Sequence, residues 1–489
     1  MGHLVTWFSA CFLAIGGFLF GYDSGIITST ISQETFVRYF SSPSPSTEGG
    51  IVSAFQGGAI LGTIINMFTG DRWGRKWAIT VGSFISCTGC ALQAGSINIP
   101  MLIIGRFIAG VAVGILTSVI PMFAAELSLP KHRGILSGLL QWMLSWGFLV
   151  AQWLGYGCSF STSAFQWRFP LAFQCLPGIV LLVGIRFLSE SPRWLLEKDR
   201  FDEARAILQR LHGDGTPEGD QFVELEFREI QDVIAADRAA TTIRWSSILT
   251  KPTWRKRLLL GCGVQAFSAL SGINVINYFG PQIYKSLGIS NQVSLMIIGI
   301  SGALSIVYCT IGLYILDRIG RIKPLIVSAI GQALALVVNA ALSQHYNPDS
   351  TNQLRAMIAM NFVFYLFFAP LGIISWVYPA EIFPVEIRNQ GNSITTFTNW
   401  TINLIFAQFS PSALKNIGFK YFYVFFVFNT VAALIYFLFY PETKGKTLEQ
   451  MDEMFGDQMV EHILETDGVR KLSSEKNKAA SVSHVETKV

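Results

Sequence analysis

The chain has 489 residues, of which 51% are hydrophobic and only 14% are charged. Soluble domains carry about 25% charged residues, so this composition excludes a typical soluble protein. The small net charge of +4 gives no support for nucleic-acid binding. Apolar stretches of roughly 18–25 residues, long enough to cross a ~30 Å hydrocarbon core, recur along the chain. We count twelve, with centres near Gly17, Ile60, Ser86, Gly114, Phe148, Ile179, Val275, Ser305, Leu334, Phe368, Leu404 and Phe428.

Basic residues cluster in every second loop between these predicted spans. The clusters follow spans two, four, six, eight and ten, whereas the loops after spans one, seven and nine hold few basic residues. By the positive-inside rule the basic loops are cytoplasmic, and an even number of spans places both termini on the same side. We therefore expect a multi-pass plasma membrane protein with both termini in the cytoplasm.

Three landmarks of the first half recur in the second, in the same order and at one offset of about 250 residues. One such match could arise by chance, but three in order indicate a duplication. We therefore predict two diverged copies of one six-helix unit. The matched pairs are 70–76 with 317–323, Glu126 and Arg133 with Glu381 and Arg388, and 189–193 with 441–445.

The segment from 191 to 256 separates the two predicted halves and is rich in charge. Residues 199–211 and 221–238 mix charged and apolar residues at helical spacing, which predicts amphipathic helices on the cytoplasmic face. Residues after about 464 are rich in Lys, Ser and Glu without periodicity, which predicts disorder. The predicted domains are an N-terminal six-helix bundle (1–190), a cytoplasmic helical linker (191–256), a C-terminal six-helix bundle (257–440) and a cytoplasmic tail (441–489).

The seven cysteines all lie in or at the edge of apolar spans, which favours a role in packing over a disulfide or metal framework. The sequence shows no nucleophile–base arrangement, cofactor-binding loop or cluster of metal ligands. We therefore expect no enzymatic activity, no cofactor and no metal.

Two ionisable residues lie inside predicted spans, Asp23 in the middle of span one and Arg106 near the start of span four. An ionised side chain in hydrocarbon costs roughly 2.5–3.5 kcal/mol, so both are functional candidates. One alternative is a permanent ion pair that fixes helix packing. The other is a carboxylate that alternates between pairing with Arg106 and holding a proton. All six histidines lie in loops or near the termini, which excludes a histidine proton relay.

Acidic and basic residues also recur at the cytoplasmic ends of the spans, where charge costs little. One interpretation is that they only determine topology. Their repetition favours a latch, two rings of opposite charge that hold the halves together on one side and separate when the halves rock. Exposed ion pairs are worth about 0–1 kcal/mol each, which suits a reversible contact. The predicted latch residues are Asp71, Arg75, Glu126, Arg133, Glu190, Arg193, Asp317, Arg321, Glu381, Arg388 and Glu442.

Polar, uncharged side chains inside the spans are the candidates for a substrate site. Their amides and indole offer neutral donors, acceptors and an apolar ring face, which suits a neutral polyhydroxylated ligand. For any single residue, a hydrogen bond between helices is an equal alternative. The predicted set is Gln141 and Gln152 on span five, Asn274 and Tyr278 on span seven, Trp376 on span ten, and Asn399 and Asn403 on span eleven.

Several short motifs together resemble the sugar porter family of the major facilitator superfamily, and the chain is similar to its fungal members. The resemblance covers residues from about 10 to 456. The motifs are FGYDSG at 20–25, GDRWGRK at 70–76, GRFIAG at 105–110, PMFAAELSLPKHRG at 121–134, ESPRWL at 190–195, SGIN at 271–274, DRIGR at 317–321, WVYPAEIFPVEIR at 376–388, NW at 399–400 and PETKGKTLEQMDEMF at 441–455.

This resemblance implies an all-α integral membrane protein with twelve transmembrane helices in two six-helix pseudo-repeats, joined by cytoplasmic helices. It implies that Asp23 and Arg106 are the proton-coupling pair of a symporter. It also implies that the charged loop residues form an intracellular latch favouring the outward-open state. The family's sugar-contacting positions correspond to Gln141, Gln152, Asn274, Trp376 and Asn403.

The chain departs from the family pattern mainly in its second half. Two glutamines of span seven are replaced, as are an asparagine of span eight, a tyrosine of span four and a proline of span ten. Gln265 lies nine residues before Asn274, which on a continuous helix is the opposite face, so we do not expect it to compensate. The substituted positions are Ser268, Ala269, Ser305, Phe123 and Ile373.

The leading hypothesis is proton-coupled uptake of a sugar, a monosaccharide, by alternating access. The partners would be the sugar, a proton and the lipid bilayer, and the protein would function as a monomer. The second hypothesis is a facilitative sugar uniporter in which Asp23 is only structural. The third is a sensor that binds sugar without transporting it, although the tail of residues 441–489 is short for such a protein.

Overall fold

The computed structural model describes residues 2–128, 133–213, 215–239, 245–345, 350–384, 387–444, 451 and 454–456. In these ranges all regular secondary structure is helical. The described residues up to 444 form one compact unit, and residues 451 and 454–456 belong to a second. The predictions of a cytoplasmic tail and of disorder after about 464 lie outside the described residues.

The first half contains nine α-helices followed by a short 3₁₀-helix. They are α1 (Gly2–Leu13), α2 (Ile15–Ser32), α3 (Glu34–Tyr39), α4 (Pro45–Trp73), α5 (Arg75–Ala94), α6 (Ile99–Leu127), α7 (Arg133–Cys158), α8 (Phe165–Phe173), α9 (Cys175–Gly184) and the 3₁₀-helix Ile185–Phe187.

Four helices connect the halves, and seven α-helices form the second half. The linker contains α10 (Pro192–Glu197), α11 (Phe201–His212), α12 (Pro217–Ala239) and α13 (Trp245–Thr250). The second half contains α14 (Pro252–Leu270), α15 (Ile273–Ser286), α16 (Asn291–Ile319), α17 (Ile322–Gln344), α18 (Thr351–Ile382), α19 (Arg388–Ile417), the 3₁₀-helix Gly418–Lys420 and α20 (Tyr421–Phe439).

The prediction of an all-helical membrane protein is confirmed. Among the described residues, ten helical segments are long and apolar enough to cross a membrane. The last of these, 390–439, contains two helices, α19 and α20. Helix α7 has 26 residues and holds the fifth predicted span. Each of the twelve predicted centres falls inside one of these helices.

Three spans are made of two helices each, and one of the breaks matters for the site. Span seven changes direction between α14 and α15, at Ser271 and Gly272. Gly272 has φ +96°, in the left-handed region that favours glycine. The break removes the continuous helix on which the sequence argument about Gln265 depended.

Small residues allow the helices to approach closely, as expected in a membrane bundle. Helices α4 and α6 cross where Gly58 and Gly62 face the backbone of Phe107 and Val111. A Cβ atom on either glycine would lie within 2.0–2.1 Å of a carbonyl oxygen. These contacts bring α4 and α6 close together, beside the buried Arg106 of α6.

The linker helices have a small core of their own, which includes Leu196, Leu208, Val223 and Phe227. They also contact the membrane bundle. The His212 ring lies between Glu226 (Nδ1–Oε2, 2.6 Å) and the carbonyl of Leu127 at the end of α6 (3.2 Å). The two amphipathic helices expected in this segment are therefore present as α11 and α12.

Candidate functional site

A cavity of about 90 Å³ lies between the two halves. Five of the seven predicted substrate residues line it: Gln141, Asn274, Trp376, Asn399 and Asn403. The other lining residues are Phe20, Ser24, Leu144, Ser145, Phe148, Ser268, Ile273, Asn277, Ser305, Tyr365, Phe368, Gly372 and Ser375. Polar groups from both halves thus meet in one chamber with several aromatic rings, the composition expected of a small-molecule site.

Four amides form a hydrogen-bonded series along one wall, which we call the amide network: Asn274, Asn403, Asn399 and Gln265. Asn274 Nδ2 donates to Asn403 Oδ1, and Asn403 Nδ2 donates to Asn399 Oδ1 (2.8 Å). Asn399 Nδ2 donates to Gln265 Oε1 (2.8 Å), and Gln265 Nε2 donates to the carbonyl of Ser375 (2.8 Å). The network joins spans seven, ten and eleven.

The expectation that Gln265 faces away from Asn274 needs correction. The two residues lie on different helices, because span seven breaks at Gly272, and Asn399 and Asn403 connect them. Gln265 does not line the cavity itself. It supports the lining amides from behind, a role that spacing along a continuous helix could not indicate.

Gln141 and Trp376 connect the halves directly across the cavity. The indole Nε1 of Trp376 on α18 donates to Gln141 Oε1 on α7 over 3.1 Å. Because α7 and α18 belong to different halves, a rocking motion of the halves would change this contact.

Asn277 and Tyr365 line the cavity and were missed by the sequence analysis. The Tyr365 hydroxyl donates to Asn277 Oδ1 (2.5 Å), and Thr28 Oγ1 donates to the Asn277 carbonyl (2.5 Å). Asn277 therefore also joins the halves. Its position three residues after Asn274, on the same helical face, was a signal that could have found it.

Gln152 and Tyr278 do not line the cavity. Gln152 Nε2 donates to the carbonyl of Gly25 (2.9 Å), so it links spans five and one. The Tyr278 side chain is buried beside Ser24, Gln56 and the Asp23–Arg106 pair. Tyr278 thus belongs to the helix that carries Asn274, α15, and its side chain lies beside the buried charges.

Asp23 and Arg106 form an ion pair inside the first half. Arg106 Nη1 lies 2.6 Å from Asp23 Oδ1, and the side chains are 0% and 2% exposed for Arg106 and Asp23. The guanidinium also lies over the Phe55 ring, 4.6 Å from its centroid. Asp23 Oδ2 and Arg106 Nε and Nη2 have no hydrogen-bond partner among the described residues. The pair is enclosed, yet its hydrogen-bonding capacity is far from saturated.

Of the substituted positions, two contribute to the cavity. Ser268 and Ser305 line it, and Ser305 Oγ lies 3.4 Å from Ser145 Oγ on span five. Phe123, Ala269 and Ile373 are buried away from it.

At the charged end of the first half, Arg75 pairs with Glu126 through two hydrogen bonds. Nη2 and Nε lie 2.9 and 3.1 Å from the carboxylate oxygens, and Nη1 donates to the carbonyl five residues earlier (3.4 Å). Glu190 accepts the backbone N–H groups of Lys76 (3.3 Å) and Ser191 (3.0 Å). These contacts tie the ends of spans two, three, four and six together.

The second half repeats this arrangement. Arg321 Nη2 and Nε lie 2.6 and 3.2 Å from the Glu381 oxygens, and Nη1 donates to the carbonyl five residues earlier (3.3 Å). Glu442 accepts N–H groups from Arg321 (2.9 Å), Ile322 (3.1 Å) and the two residues that follow it, at 3.1 and 3.0 Å. The same geometry at both charged ends supports the duplication.

The pKa values of the two matching carboxyls are shifted in opposite directions. Burial raises the pKa of Glu190, although the N–H groups of Ser191 and Lys76 act in the opposite direction. Burial also acts to raise the pKa of Glu442, but N–H donation from Arg321, Ile322 and Lys444 outweighs it and lowers the pKa. The second-half carboxyl is therefore held ionised more firmly than the first-half one.

The ion pairs described above lie within one half each. Arg193 lies close enough to Glu126 for their charges to interact, and Arg388 Nε donates to the carbonyl of Phe383 (3.3 Å). The side chains of Asp71, Arg133 and Asp317 lie outside the described residues. A latch between the halves therefore stays a prediction.

Comparison with known proteins gives a consistent result. Residues 9–455 match the model of the family described as "Sugar (and other) transporter". An MFS-type transporter of Aspergillus cristatus, criB, is 39% identical over 95% of this chain and 96% of its own. A high-affinity glucose transporter of Kluyveromyces lactis is 33% identical, with 93% and 85% of the two chains covered. A solved structure of the proton:xylose symporter XylE with 6-bromo-6-deoxy-D-glucose bound has a TM-score of 0.81 at 24% identity, covering 93% of this chain and 100% of that one.

Proposed function

Because the chain belongs to the sugar porter family of the major facilitator superfamily, whose "Sugar (and other) transporter" model matches residues 9–455, we propose that it carries a sugar across the membrane together with a proton. The substrate would be a monosaccharide, transported by alternating access between the two halves. The protein would act as a monomer in the plasma membrane, with both termini in the cytoplasm.

The sugar assignment rests on the chemistry of the cavity and on the relatives. Neutral amides, hydroxyls and ring faces suit a neutral polyhydroxylated ligand, and the 33% identical relative from Kluyveromyces lactis is named a high-affinity glucose transporter. We propose Gln141, Asn274, Trp376, Asn399 and Asn403 as the substrate-contacting residues, with Asn277 and Tyr365 added from the structure.

The single observation that carries proton coupling is the incomplete Asp23–Arg106 pair. One hydrogen bond of 2.6 Å joins the side chains, while Asp23 Oδ2 and two guanidinium nitrogens have no partner among the described residues. A permanent structural pair would be expected to satisfy these buried groups, because each unsatisfied one costs free energy. A pair that separates once per transport cycle can leave them open.

The available driving force is sufficient for accumulation. A membrane potential of 100 mV contributes about 2.3 kcal/mol per charge, and one pH unit adds about 1.4 kcal/mol. Their sum of roughly 3.7 kcal/mol sustains about a 500-fold sugar gradient.

Uptake of labelled sugar in transporter-null cells tests the proposal. We expect the wild type to accumulate the sugar to an internal concentration above the external one. This accumulation should collapse when a protonophore is added. Asp23→Asn should abolish accumulation while sugar still exchanges across the membrane. Full accumulation by this variant would remove Asp23 from the coupling mechanism. Uptake that never exceeds the external concentration and ignores the protonophore would establish the uniporter instead.

A further inference from the structure

The amide network has a fixed direction. Gln265 Nε2 donates to the carbonyl of Ser375 (2.8 Å), and Asn399 Nδ2 donates to the backbone carbonyl of Gln265 (3.2 Å) as well as to its side chain. A backbone carbonyl only accepts hydrogen bonds. Rotation of either amide by 180° would place its side-chain oxygen against a backbone carbonyl oxygen. The two backbone carbonyls therefore determine both amide orientations.

This direction passes along the network into the cavity. Asn399 presents its oxygen to Asn403 Nδ2 (2.8 Å), and Asn403 in turn presents its oxygen to Asn274 Nδ2. Asn274 is the last member, and among the described residues no donor occupies its Oδ1. An acceptor therefore remains for a ligand on the second-half wall.

The opposite wall has the complementary polarity. An indole nitrogen is only a donor, so the Trp376 Nε1–Gln141 Oε1 bond of 3.1 Å fixes Gln141 with its Nε2 directed elsewhere. That Nε2 lies next to Gly372, another residue of the cavity wall. The first half offers a donor to the ligand where the second half offers an acceptor.

We propose that Gln265 is a positioning residue for substrate selectivity. By tying the amide network to the Ser375 carbonyl, it keeps Asn274 as a hydrogen-bond acceptor, so a preferred substrate must donate a hydroxyl proton at that point. This inference rests on the proposed function as a sugar transporter. The selected class is a sugar with a free hydroxyl at one defined ring position. A fluorine at that position accepts but does not donate, and is rejected.

Competition for uptake by a series of deoxyfluoro sugars, one ring position at a time, tests this inference. For the wild type we expect one position at which the fluoro analogue competes about tenfold or more weakly than the parent sugar, because an unpaired acceptor is left buried. Gln265→Met keeps the side-chain volume but removes the anchor. Only the longer hydrogen bond from Asn399 Nδ2 to the backbone carbonyl of residue 265 (3.2 Å) then orients the network, so the amides turn more readily and the fluoro penalty at that position should fall to within about threefold.

Two further variants keep the test decisive. Asn399→Leu breaks the network at its next link and should reduce the penalty at the same ring position, which covers the case in which Gln265→Met fails to reach the membrane. Gln332→Met is the matched control, because Gln332 is also buried and donates to a carbonyl of α18, that of Phe367 (3.4 Å), outside the cavity. It should leave the whole fluoro profile unchanged.

The outcomes separate this inference from the proposed function. Sugar uptake with a flat wild-type fluoro profile, or an unchanged profile in Gln265→Met and Asn399→Leu, overturns the role of Gln265 alone. A change at all ring positions in both Gln265→Met and Gln332→Met also overturns it, because general destabilisation would then be the cause. Absence of any sugar uptake or competition in the wild type overturns the proposed function, and this inference with it.

Discussion

The charged ends of the two halves share one geometry, yet their ion pairs differ in burial and their second glutamates differ in hydrogen bonding. In each cluster, an arginine forms an ion pair with one glutamate. A second glutamate accepts hydrogen bonds from backbone N–H groups of the loop after span two or span eight. Arg75 and Glu126 are 3% and 6% exposed, whereas Arg321 and Glu381 are 7% and 21% exposed. The second glutamate shows the reverse trend, since Glu442 accepts more N–H groups than Glu190 and has the lower pKa.

The two copies of this duplicated motif therefore keep one geometry while different contacts stabilise it. The first-half cluster depends on a deeply buried ion pair and holds a carboxyl whose protonation is favoured by burial. The second-half cluster depends on a carboxylate saturated by backbone donors. Three pairs of matched substitutions test this comparison, and one further substitution tests the cavity where the halves meet; they are given in order of decreasing effect.

Removal of the arginines should give the largest effect. Arg75→Ala removes the ion-pair partner of the buried Glu126 and leaves only the neighbouring Arg193 as a positive charge, which should cost up to about 3–5 kcal/mol of unfolding free energy. Arg321→Ala should cost less, because Glu381 is more exposed and still accepts a hydrogen bond from Thr443 Oγ1 (2.7 Å). Thermal unfolding of the purified protein in detergent measures both.

The matched control for the arginines is Arg200→Ala, which removes the exposed pair with Glu203 and should change the thermal midpoint little. Equal losses for Arg75→Ala and Arg321→Ala would show that the difference in burial between the two clusters has no energetic consequence.

The glycines before the two arginines should give the next largest effect. Gly74 and Gly320 have φ +94° and +99°, in a region costly for other residues, so alanine should destabilise by about 1–3 kcal/mol at either site. Gly320→Ala should be the more destabilising of the two. Its Cβ would lie 2.6 Å from a Glu442 oxygen, whereas a Cβ at Gly74 would lie 2.9 Å from a Glu190 oxygen. Gly157→Ala, whose Cβ meets nothing within 4 Å, is the control. A larger loss at Gly74 would contradict the ranking.

The two carboxyls should respond to pH in opposite directions. The pKa of Glu442 is lowered on folding, so its stabilisation is present above the unfolded-state pKa of about 4.3 and lost as pH falls through the folded-state value. Glu442→Gln should therefore destabilise by about 1–2 kcal/mol at neutral pH and have little effect in acid.

The pKa of Glu190 is raised, so its contribution is present below about pH 4.3 and lost as pH rises through the folded-state pKa. Glu190→Gln resembles the protonated form and should be neutral or stabilising at pH 7, with the gain disappearing in acid. Thermal midpoints of both variants between pH 4 and 8 measure the contrast. Parallel pH profiles would mean that the two sites are equivalent after all.

The smallest expected effect lies in the cavity, where the halves meet. Trp376→Phe keeps a ring but removes the N–H donated to Gln141, a loss of about 0.5–1.5 kcal/mol that corresponds to a two- to twelvefold rise in KM. Initial rates of labelled sugar uptake measure it. Trp142→Phe is the control, because it removes another N–H donated between the halves, to Thr310 Oγ1 (3.0 Å), outside the cavity. An equal change in both variants would show that the effect is not specific to the cavity.

Much of this architecture could be predicted from the sequence because its signals are local. Length and hydropathy placed twelve predicted centres, each of which falls inside a helix, and charge motifs at a common offset indicated the repeat. Asp23 and Arg106 could be expected to meet because an isolated charge in hydrocarbon is costly. Their contact of 2.6 Å agrees with that argument. Five of the seven predicted substrate residues line the cavity for a similar reason, since buried amides require partners.

The differences came from the way separate helices pack and, for Gln265, from the break at Gly272. Helical spacing placed Gln152 on the same face as Gln141, but it bonds to the Gly25 carbonyl instead of lining the cavity. The partnership of Gln265 with Asn399, and the place of Tyr365 beside Asn277, depend on how separate helices pack. No local pattern in the sequence encodes those distances.

Sequence patterns alone were enough to predict that this chain spans a membrane, that it is duplicated, and which polar residues are buried inside it. Which of these residues share a chamber, and which atoms they present to it, emerged from the packing of the helices. This division arises because hydrophobic burial and charge avoidance act on each segment separately. The direction of an amide depends on a carbonyl such as that of Ser375, which folding brings to Gln265 from a distant helix.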